Sequence, residues 1–266
     1  MKILILFITL TVLFFGIFLY RNNQRQPITP TASPPETLPA QAPLSVPNGE
    51  IIEVAFNNTD YQLLVIPIKA ENKILLIPNF TNGKNGEELV TENNCRSAVN
   101  GGFYREDGKP LGLFYSQGKS WSKQIQSQLV TGFFWQDKEG NRNLSRNLAV
   151  APEEADFILQ TGPFMIVGDY QLKLVQDEQA RRSVIGKDTK DNLFLISIIE
   201  KGNHYSGPNL VDLPSIFFQL DVQKRWEFTE ILNLDGGSAS FFYDKGEEAE
   251  LILSSLTQVG SLICLK

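Results

Sequence analysis

The stretch RSVIGKDTKDNLFLISIIE, residues 182–200, contains two apolar segments separated by a polar turn. Val, Ile, Leu and Phe dominate residues 183–185 and 193–199, and these residue types are typical of β-strands. The residues between them, 187–192, are rich in Lys, Asp and Asn, and Asp and Asn favour turns. The stretch therefore predicts two strands joined by a short polar connection, as antiparallel neighbours usually are.

Short apolar runs bounded by turn residues recur on both sides of this stretch. Further strands are predicted at 51–56, 61–68, 74–77, 96–99, 111–116, 129–135, 164–167, 230–234, 240–243, 251–253 and 262–265. Helices are predicted at 86–94 and at 210–226, where Pro214 falls in the first turn and is tolerated. We therefore predict an α+β fold with a mostly antiparallel β-sheet and two or three helices.

The amino-terminal part of the chain has a different composition. Residues 3–20 are uncharged and largely apolar, and about 20 such residues in a helix span a bilayer. Arg21 and Arg25 follow the run in place of the small residues of a signal cleavage site, which favours an uncleaved membrane anchor over a cleaved signal. The expected organisation is a signal anchor at 1–25, a Pro-rich linker at 26–48 and a domain at 49–266. The domain is expected to lie outside the cytoplasm, in a periplasmic, extracellular or lumenal space.

Composition excludes several classes of function. Hydrophobic residues make up 42% and charged residues 20% of the chain, which is typical of a globular protein. The net charge of −6 with scattered basic residues argues against binding to nucleic acid. His204 is the only histidine, so a multi-His metal site is excluded and a His-based triad is disfavoured. The sequence indicates no cofactor, although a divalent metal stays open.

The chain contains two cysteines, Cys95 and Cys264. Outside the cytoplasm they could form a disulfide between the middle of the chain and its last strand. The alternative is a pair of buried, unreactive thiols. The sequence alone leaves both possibilities open.

Three glycine-containing corners follow apolar segments, at 98–104, 160–164 and 232–238. Glycine allows positive φ and lets backbone N–H groups approach a ligand, although each corner alone is typical of an ordinary turn. A fourth motif begins with Arg182, whose guanidinium would need an anion if it entered an apolar strand, although alone it is typical of an exposed Arg at the start of a strand.

Four motifs in this order, NGGF at 100–103 with PLG at 110–112, QTGP at 160–163, RSVIG at 182–186 and NLDGGS at 233–238, resemble the phosphodiester glycosidase family. This is the family of the mannose 6-phosphate uncovering enzyme, and its bacterial members are often described as exopolysaccharide-biosynthesis proteins. The resemblance spans about residues 95–243. It implies a hydrolase that cleaves a sugar-1-phosphate diester, in this case in the metabolism of cell-envelope or exported glycans.

The resemblance also implies a set of site residues. Arg182 and the backbone donors of a glycine corner would hold the phosphate, and Asp235 would act at the sugar by orienting water or stabilising positive charge. Asn100 is the third candidate catalytic residue. The candidate substrate-binding residues are Gly101, Gly102, Thr161, Gly162, Gly236, Gly237 and Ser238. The third corner reads DGGSAS, which departs from the pattern expected in many relatives and affects the expected fine geometry.

A second function remains open at this point. The domain could bind envelope glycans or phosphate-sugars without turnover while keeping the fold and the phosphate pocket. Phe103, Tyr104, Trp121 and Trp135 could stack on sugars in either case.

Overall fold

Antiparallel β-sheets form most of the structure, a computed structural model that describes residues 44–168, 172–174 and 176–266. The predicted anchor at 1–25 and most of the predicted linker lie outside the described residues. None of the helices in the described part has the length and apolar content needed to cross a bilayer.

Sixteen strands are present in the described ranges. They are β1 (Glu50–Phe56), β2 (Thr59–Ile68), β3 (Ile74–Pro78), β4 (Ser97–Asn100), β5 (Phe114–Ser116), β6 (Lys119–Ser122), β7 (Gly132–Asp137), β8 (Arg142–Ser145), β9 (Ala155–Thr161), β10 (Phe164–Ile166), β11 (Arg182–Asp188), β12 (Leu193–Glu200), β13 (Phe228–Asn233), β14 (Phe242–Lys245), β15 (Glu250–Leu253) and β16 (Ser261–Leu265). The α-helices are α1 (Gly86–Asn93), α2 (Leu213–Phe217) and α3 (Leu220–Gln223), and short 3₁₀ turns lie at Pro152–Glu154, Leu210–Asp212 and Gly237–Ala239.

The strands form three sheets in which all paired neighbours run antiparallel. The first sheet has the order β1-β2-β12-β11-β13-β10, the second β15-β14-β4-β16-β3, and the third β6-β5-β9-β7-β8. The predicted pair of strands at 182–200 is the β11–β12 hairpin, and it lies in the middle of the first sheet.

The middle of the first sheet is buried on both faces, which explains why β12 is a nearly continuous apolar run. Leu195 belongs to the core where the three sheets meet, together with Val99 of β4 and Phe134 of β7. Ile196, the next residue, points to the opposite face and packs in a second core with Phe217 of α2. Because successive side chains of a strand point to opposite faces of the sheet, one strand contributes residues to two different cores.

The helix predicted at 210–226 is wrong as a continuous element. It is divided into the 3₁₀ turn Leu210–Asp212, α2 and α3, because Gln219 has an extended backbone with φ −61° and ψ 144°. Side chains bond the carbonyl groups around this break: Gln219 Nε2 donates to Ser215 O, and Gln223 Nε2 donates to Phe217 O. Phe218 and Leu220 beside the break are exposed, so no buried apolar face requires a regular helix there.

Strands β6, β8 and β9 were not predicted. β9 is central to the third sheet and pairs with both β5 and β7. Its apolar run is short, and it ends in the polar residues Gln160 and Thr161, which are nevertheless buried. Tertiary contacts, rather than hydrophobic pattern, place these two polar residues in the interior.

Cys95 and Cys264 form a disulfide in the structure. Cys95 lies between α1 and β4, and Cys264 lies on β16, which pairs with β4, so their Cα atoms are 5.5 Å apart. Both residues are buried. The bond closes a loop with a sequence separation of 169 residues and joins the last strand to the middle of the chain.

We expect peptide mapping of the native protein without reductant to recover Cys95 linked to Cys264. The Cys95→Ser/Cys264→Ser variant should lose about 2–5 kcal/mol of unfolding free energy, because the loop constrains the unfolded chain. Quantitative alkylation of both thiols in the unreduced native protein would contradict the pairing.

Candidate active site

The corner after β13 contains Asn233, Leu234, Asp235, Gly236 and Gly237, and backbone hydrogen bonds fix it against the start of β11. Leu234 N donates to Ser183 O at 2.9 Å, and Gly237 N donates to Arg181 O at 2.9 Å. Gly237 has φ +59°, a conformation in which glycine is favoured. These bonds to residues 181 and 183 therefore fix the position of the corner at the end of β13.

Asn100 joins the first corner, at 98–104, to the third corner, at 232–238. Its Nδ2 donates to Asp235 O at 2.7 Å and to Gly101 O at 3.1 Å, and its Oδ1 accepts from Phe241 N at 3.0 Å. Asp235 N in turn donates to Gly101 O at 3.0 Å. These bonds hold the backbone of Asp235 in one position from two directions.

The second corner, at 160–164, packs against the third corner, at 232–238. Thr161 Oγ1 donates to Asn233 O at 3.1 Å, and Asn233 Nδ2 donates to Gly162 O at 3.0 Å. Gly102 packs closely here, since a Cβ atom on it would lie 3.0 Å from Thr161. The structure thus brings the three predicted corners into contact, although they are far apart in sequence.

The roles predicted for three of these residues need correction. Asn100, Thr161 and Gly162 are buried, and the side-chain bonds of Asn100 and Thr161 go to backbone groups of the corners. They support the site from behind and do not form its exposed surface. Gly101 is also buried, and its lack of a side chain serves packing, because a Cβ atom there would lie 2.1 Å from Ser261 Oγ.

Asp235 is partly buried at the front of this cluster. Burial raises the pKa of Asp235 to about 7, and the hydrogen bond from Gly236 N to Oδ1, 3.0 Å long, opposes this shift. The pKa of Tyr104 is raised mainly by burial and, to a smaller extent, by the negative charge of Asp235. The side chains of Tyr104 and Asp235 are therefore near each other. A carboxyl group with a pKa near neutrality can both accept and release a proton at physiological pH.

Arg182 is buried and is held by several bonds. Its Nε donates to Pro208 O at 3.0 Å, and its Nη2 donates to Glu178 O and to Asp177 Oδ1, the latter at 3.2 Å. Burial lowers the pKa of Arg182, while the charges of Asp177 and Glu178 oppose that change. The predicted role of Arg182 in holding phosphate is therefore restricted, because the protein already uses Nε and Nη2.

Nη1 of Arg182 is the remaining nitrogen, and it makes no hydrogen bond to the other described residues. It faces Gly236, since a Cβ atom on Gly236 would lie 3.6 Å from it. Both residues line a cleft of about 740 Å³. The other residues that line this cleft are Phe103, Leu129, Leu174, Gln176, Asp177, Glu178, Leu210 and Asn233.

The remaining predicted residues lie around or away from the cleft. Ser238 is exposed, and its carbonyl oxygen accepts hydrogen bonds from Leu256 N and Thr257 N. Phe103 lines the cleft, whereas Trp121 packs on Phe80 and Trp135 is buried in the core of the third sheet, so neither indole stacks on a ligand there. A second groove of about 660 Å³ lies beside Cys95 and Tyr243 and contains none of the other predicted site residues.

Sequence reasoning missed two cleft residues, Asn233 and Asp177. Asn233 stood in a quoted motif without a role, yet it joins two corners through its side chain. Asp177 carried no local signal, because its partners Arg182, Leu210 and Val211 come together only in the folded chain. Within the described ranges no group of three or more His, Cys, Asp or Glu residues is placed to hold a metal ion.

Comparison with known proteins identifies a family. A family model described as phosphodiester glycosidase matches residues 93–263, which include the four motifs. No curated protein matches this sequence.

Two solved structures share the fold at 14% sequence identity. One is the catalytic domain of zebrafish N-acetylglucosamine-1-phosphodiester α-N-acetylglucosaminidase, auto-inhibited by its pro-peptide (TM-score 0.57, 82% of each chain covered). The other is a hypothetical protein from Synechocystis (TM-score 0.56), where the match covers 81% of this chain and 61% of that protein.

Asn100→Ala should lower the unfolding free energy by about 2–4 kcal/mol, since it leaves buried backbone groups of Asp235 and Phe241 without partners. It should also reduce activity at temperatures where the variant is folded, because Asp235 loses its support. Asn79→Ala is a matched control, since Asn79 is equally buried and bonds Lys84 and Val259. The control should lose similar stability and keep its activity. Equal activity in the two folded variants would contradict the supporting role of Asn100.

Proposed function

Because the chain belongs to the phosphodiester glycosidase family, we propose that it hydrolyses a sugar-1-phosphate diester and releases the sugar from the phosphate. The observation that carries this proposal is that Asp235, whose pKa is raised to about 7, directly precedes Gly236, which lines the cleft and faces Nη1 of Arg182. Such a reaction requires a carboxyl group that titrates near neutrality at the sugar and a cationic donor at the phosphate.

The bond that breaks in this proposal joins the anomeric carbon to the bridging oxygen. A phosphomonoester leaves with the bonding electron pair, positive charge develops at the anomeric carbon, and a water oxygen forms the new bond there. Asp235 in its ionised form accepts the proton of that water and stabilises the positive charge. The phosphate group is a good leaving group, so the reaction requires little help from a general acid.

Arg182 and Gly236 serve the phosphate in this proposal. Nη1 of Arg182 supplies one charge-assisted hydrogen bond, and the absence of a side chain at Gly236 leaves the approach to it open. The carboxylate of Asp235 would repel a phosphate at close range, which fits a position nearer the sugar. The leaving group and the attacking water are thereby assigned to different sides of the corner.

The class of substrate is proposed at the level of a sugar-1-phosphodiester. The zebrafish neighbour is named for N-acetylglucosamine-1-phosphodiesters, and at 14% identity this supports the class of bond and not the identity of the sugar. We also propose that the substrate is an envelope or exported glycan and that the domain works outside the cytoplasm on an amino-terminal membrane anchor. The Cys95–Cys264 disulfide supports an oxidising location.

Hydrolysis in ¹⁸O-labelled water should place the heavy oxygen in the released sugar, because water attacks the anomeric carbon.

The value of kcat/KM should rise as pH increases through about 7, because Asp235 acts in its ionised form. Asp235→Asn should lower kcat at least about 100-fold while the protein folds normally. Label in the phosphate, or full activity in Asp235→Asn, would contradict this mechanism. Binding of sugar-1-phosphodiesters without any turnover would instead support a glycan-binding function.

Gly236→Ala tests whether the substrate reaches Nη1 of Arg182. The residue has φ −121°, which alanine can adopt, and the new methyl group would lie 3.6 Å from Nη1 and 3.2 Å from Arg181 O, so the backbone must shift slightly. The melting temperature should change little, whereas kcat/KM should fall about tenfold or more, the value of one charged hydrogen bond. Arg182→Lys is a less selective test, because it also removes the bonds to Pro208 and Glu178. Unchanged kinetics in Gly236→Ala would show that the phosphate binds elsewhere.

A further inference from the structure

The charges of the cleft carry an inference about which phosphates it accepts. Among the described residues that line it, Arg182 is the only cation, and Asp177 and Glu178 are the two anions. The lining therefore has one more negative than positive charge. Asp235, which has a pKa of about 7, adds further negative charge nearby when it ionises.

Asp177 is the acid whose position is fixed. Its Oδ1 accepts from Arg182 Nη2 at 3.2 Å and from Leu210 N at 3.0 Å, and its Oδ2 accepts from Val211 N at 2.9 Å. Its side chain is 16% exposed, and that of Arg182 is 10% exposed. Because both charges are largely removed from water, each affects a third charge in the cleft more strongly than a surface residue would.

The side chain of Glu178 makes no hydrogen bond to the described residues, and only its carbonyl oxygen bonds Arg182. Asp212, the other acid near this turn, is at hydrogen-bond range of Asn209 Nδ2, at 3.5 Å, and does not line the cleft. Asp177 is thus the group that sets the charge next to Arg182.

A phosphodiester and its hydrolysis product differ in charge. The diester carries one negative charge, whereas a phosphomonoester has a second ionisation with a pKa near 6 and carries between about 1.5 and 2 negative charges at pH 7. A site with a single cation that is already paired with a carboxylate offers Nη1 as one hydrogen-bond donor and little net positive charge. Such a site suits a monoanion and repels a dianion.

We propose that Asp177 is a specificity-determining residue that makes the cleft select phosphodiesters over phosphomonoesters. This inference rests on the proposed function, in which the phosphate lies beside Arg182. The same charge assists product release, because the phosphomonoester keeps the bonding electron pair, leaves the anomeric carbon as a dianion and is then repelled from the cleft. Asp177 acts through its charge and through its bond to Arg182, without contact to the sugar.

The test measures binding of two simple probes, dimethyl phosphate and methyl phosphate, by ³¹P NMR titration at pH 8. The wild type should bind dimethyl phosphate at least as tightly as methyl phosphate. Asp177→Asn should strengthen methyl phosphate binding about tenfold and change dimethyl phosphate binding less than about threefold, because only the dianion gains fully from removing the acid. Glu178→Gln should shift the ratio in the same direction by less. Glu139→Gln removes a charge from the distant β7–β8 turn and should leave the ratio unchanged.

A second measurement requires no change at Asp177. In the Asp235→Asn background, where that carboxyl no longer titrates, lowering the pH from 8 to 5 protonates methyl phosphate and should bring its affinity up to that of dimethyl phosphate. Equal affinity ratios in the wild type and Asp177→Asn at pH 8, a ratio independent of pH, or binding of neither probe would overturn the inference. These readouts do not need turnover. A protein that shows the selectivity but hydrolyses no sugar-1-phosphodiester would refute the proposed function alone.

Discussion

The side-chain amide of Asn100 holds together the parts of the chain on which the site depends. It bonds the backbone of Asp235, of Gly101 and of Phe241, and so joins the end of β4 to the corner after β13 and to the segment leading into β14. Asn233 has the matching role on the other side, where it bonds Gly162 and Leu234. Two buried amides therefore connect three sheets where their glycine corners meet. In a buried position such bonds are costly to leave unmade, which gives the corners one defined arrangement.

Two charged residues at this corner are bonded to different groups. Asp235 and Arg182 approach the same corner, yet Arg182 is turned toward Pro208, Asp177 and Glu178, and Asp235 is bonded by Gly236 N. Among the described residues no cation contributes to lowering the pKa of Asp235, and burial raises it against the hydrogen bond from Gly236 N.

Much of this could be predicted from the sequence, for identifiable reasons. The β11–β12 hairpin, most other strands and the four motifs have local signals in residue type and in glycine position, and the resemblance of the motifs to a family is confirmed by the match over 93–263. Predictions failed where tertiary contacts override local pattern. Gln160 and Thr161 are polar yet buried in β9, the segment at 210–226 is divided at Gln219, and Asp177 gains its role only from partners up to 34 residues away. Asn100 was expected at the reacting centre, and its burial could not be deduced from an Asn-Gly-Gly sequence that is typical of exposed turns.

The proposed mechanism depends most directly on the protonation of Asp235, which an NMR titration of the Asp235 carboxyl carbon in the folded protein measures. The assignment follows from the one Asp signal that disappears in Asp235→Asn. The structure predicts a midpoint at about pH 7, which is well above the ordinary value for an aspartate. A midpoint at or below about pH 4 would mean that the side chain is solvated or paired with a cation, and it would contradict the proposed arrangement of the site.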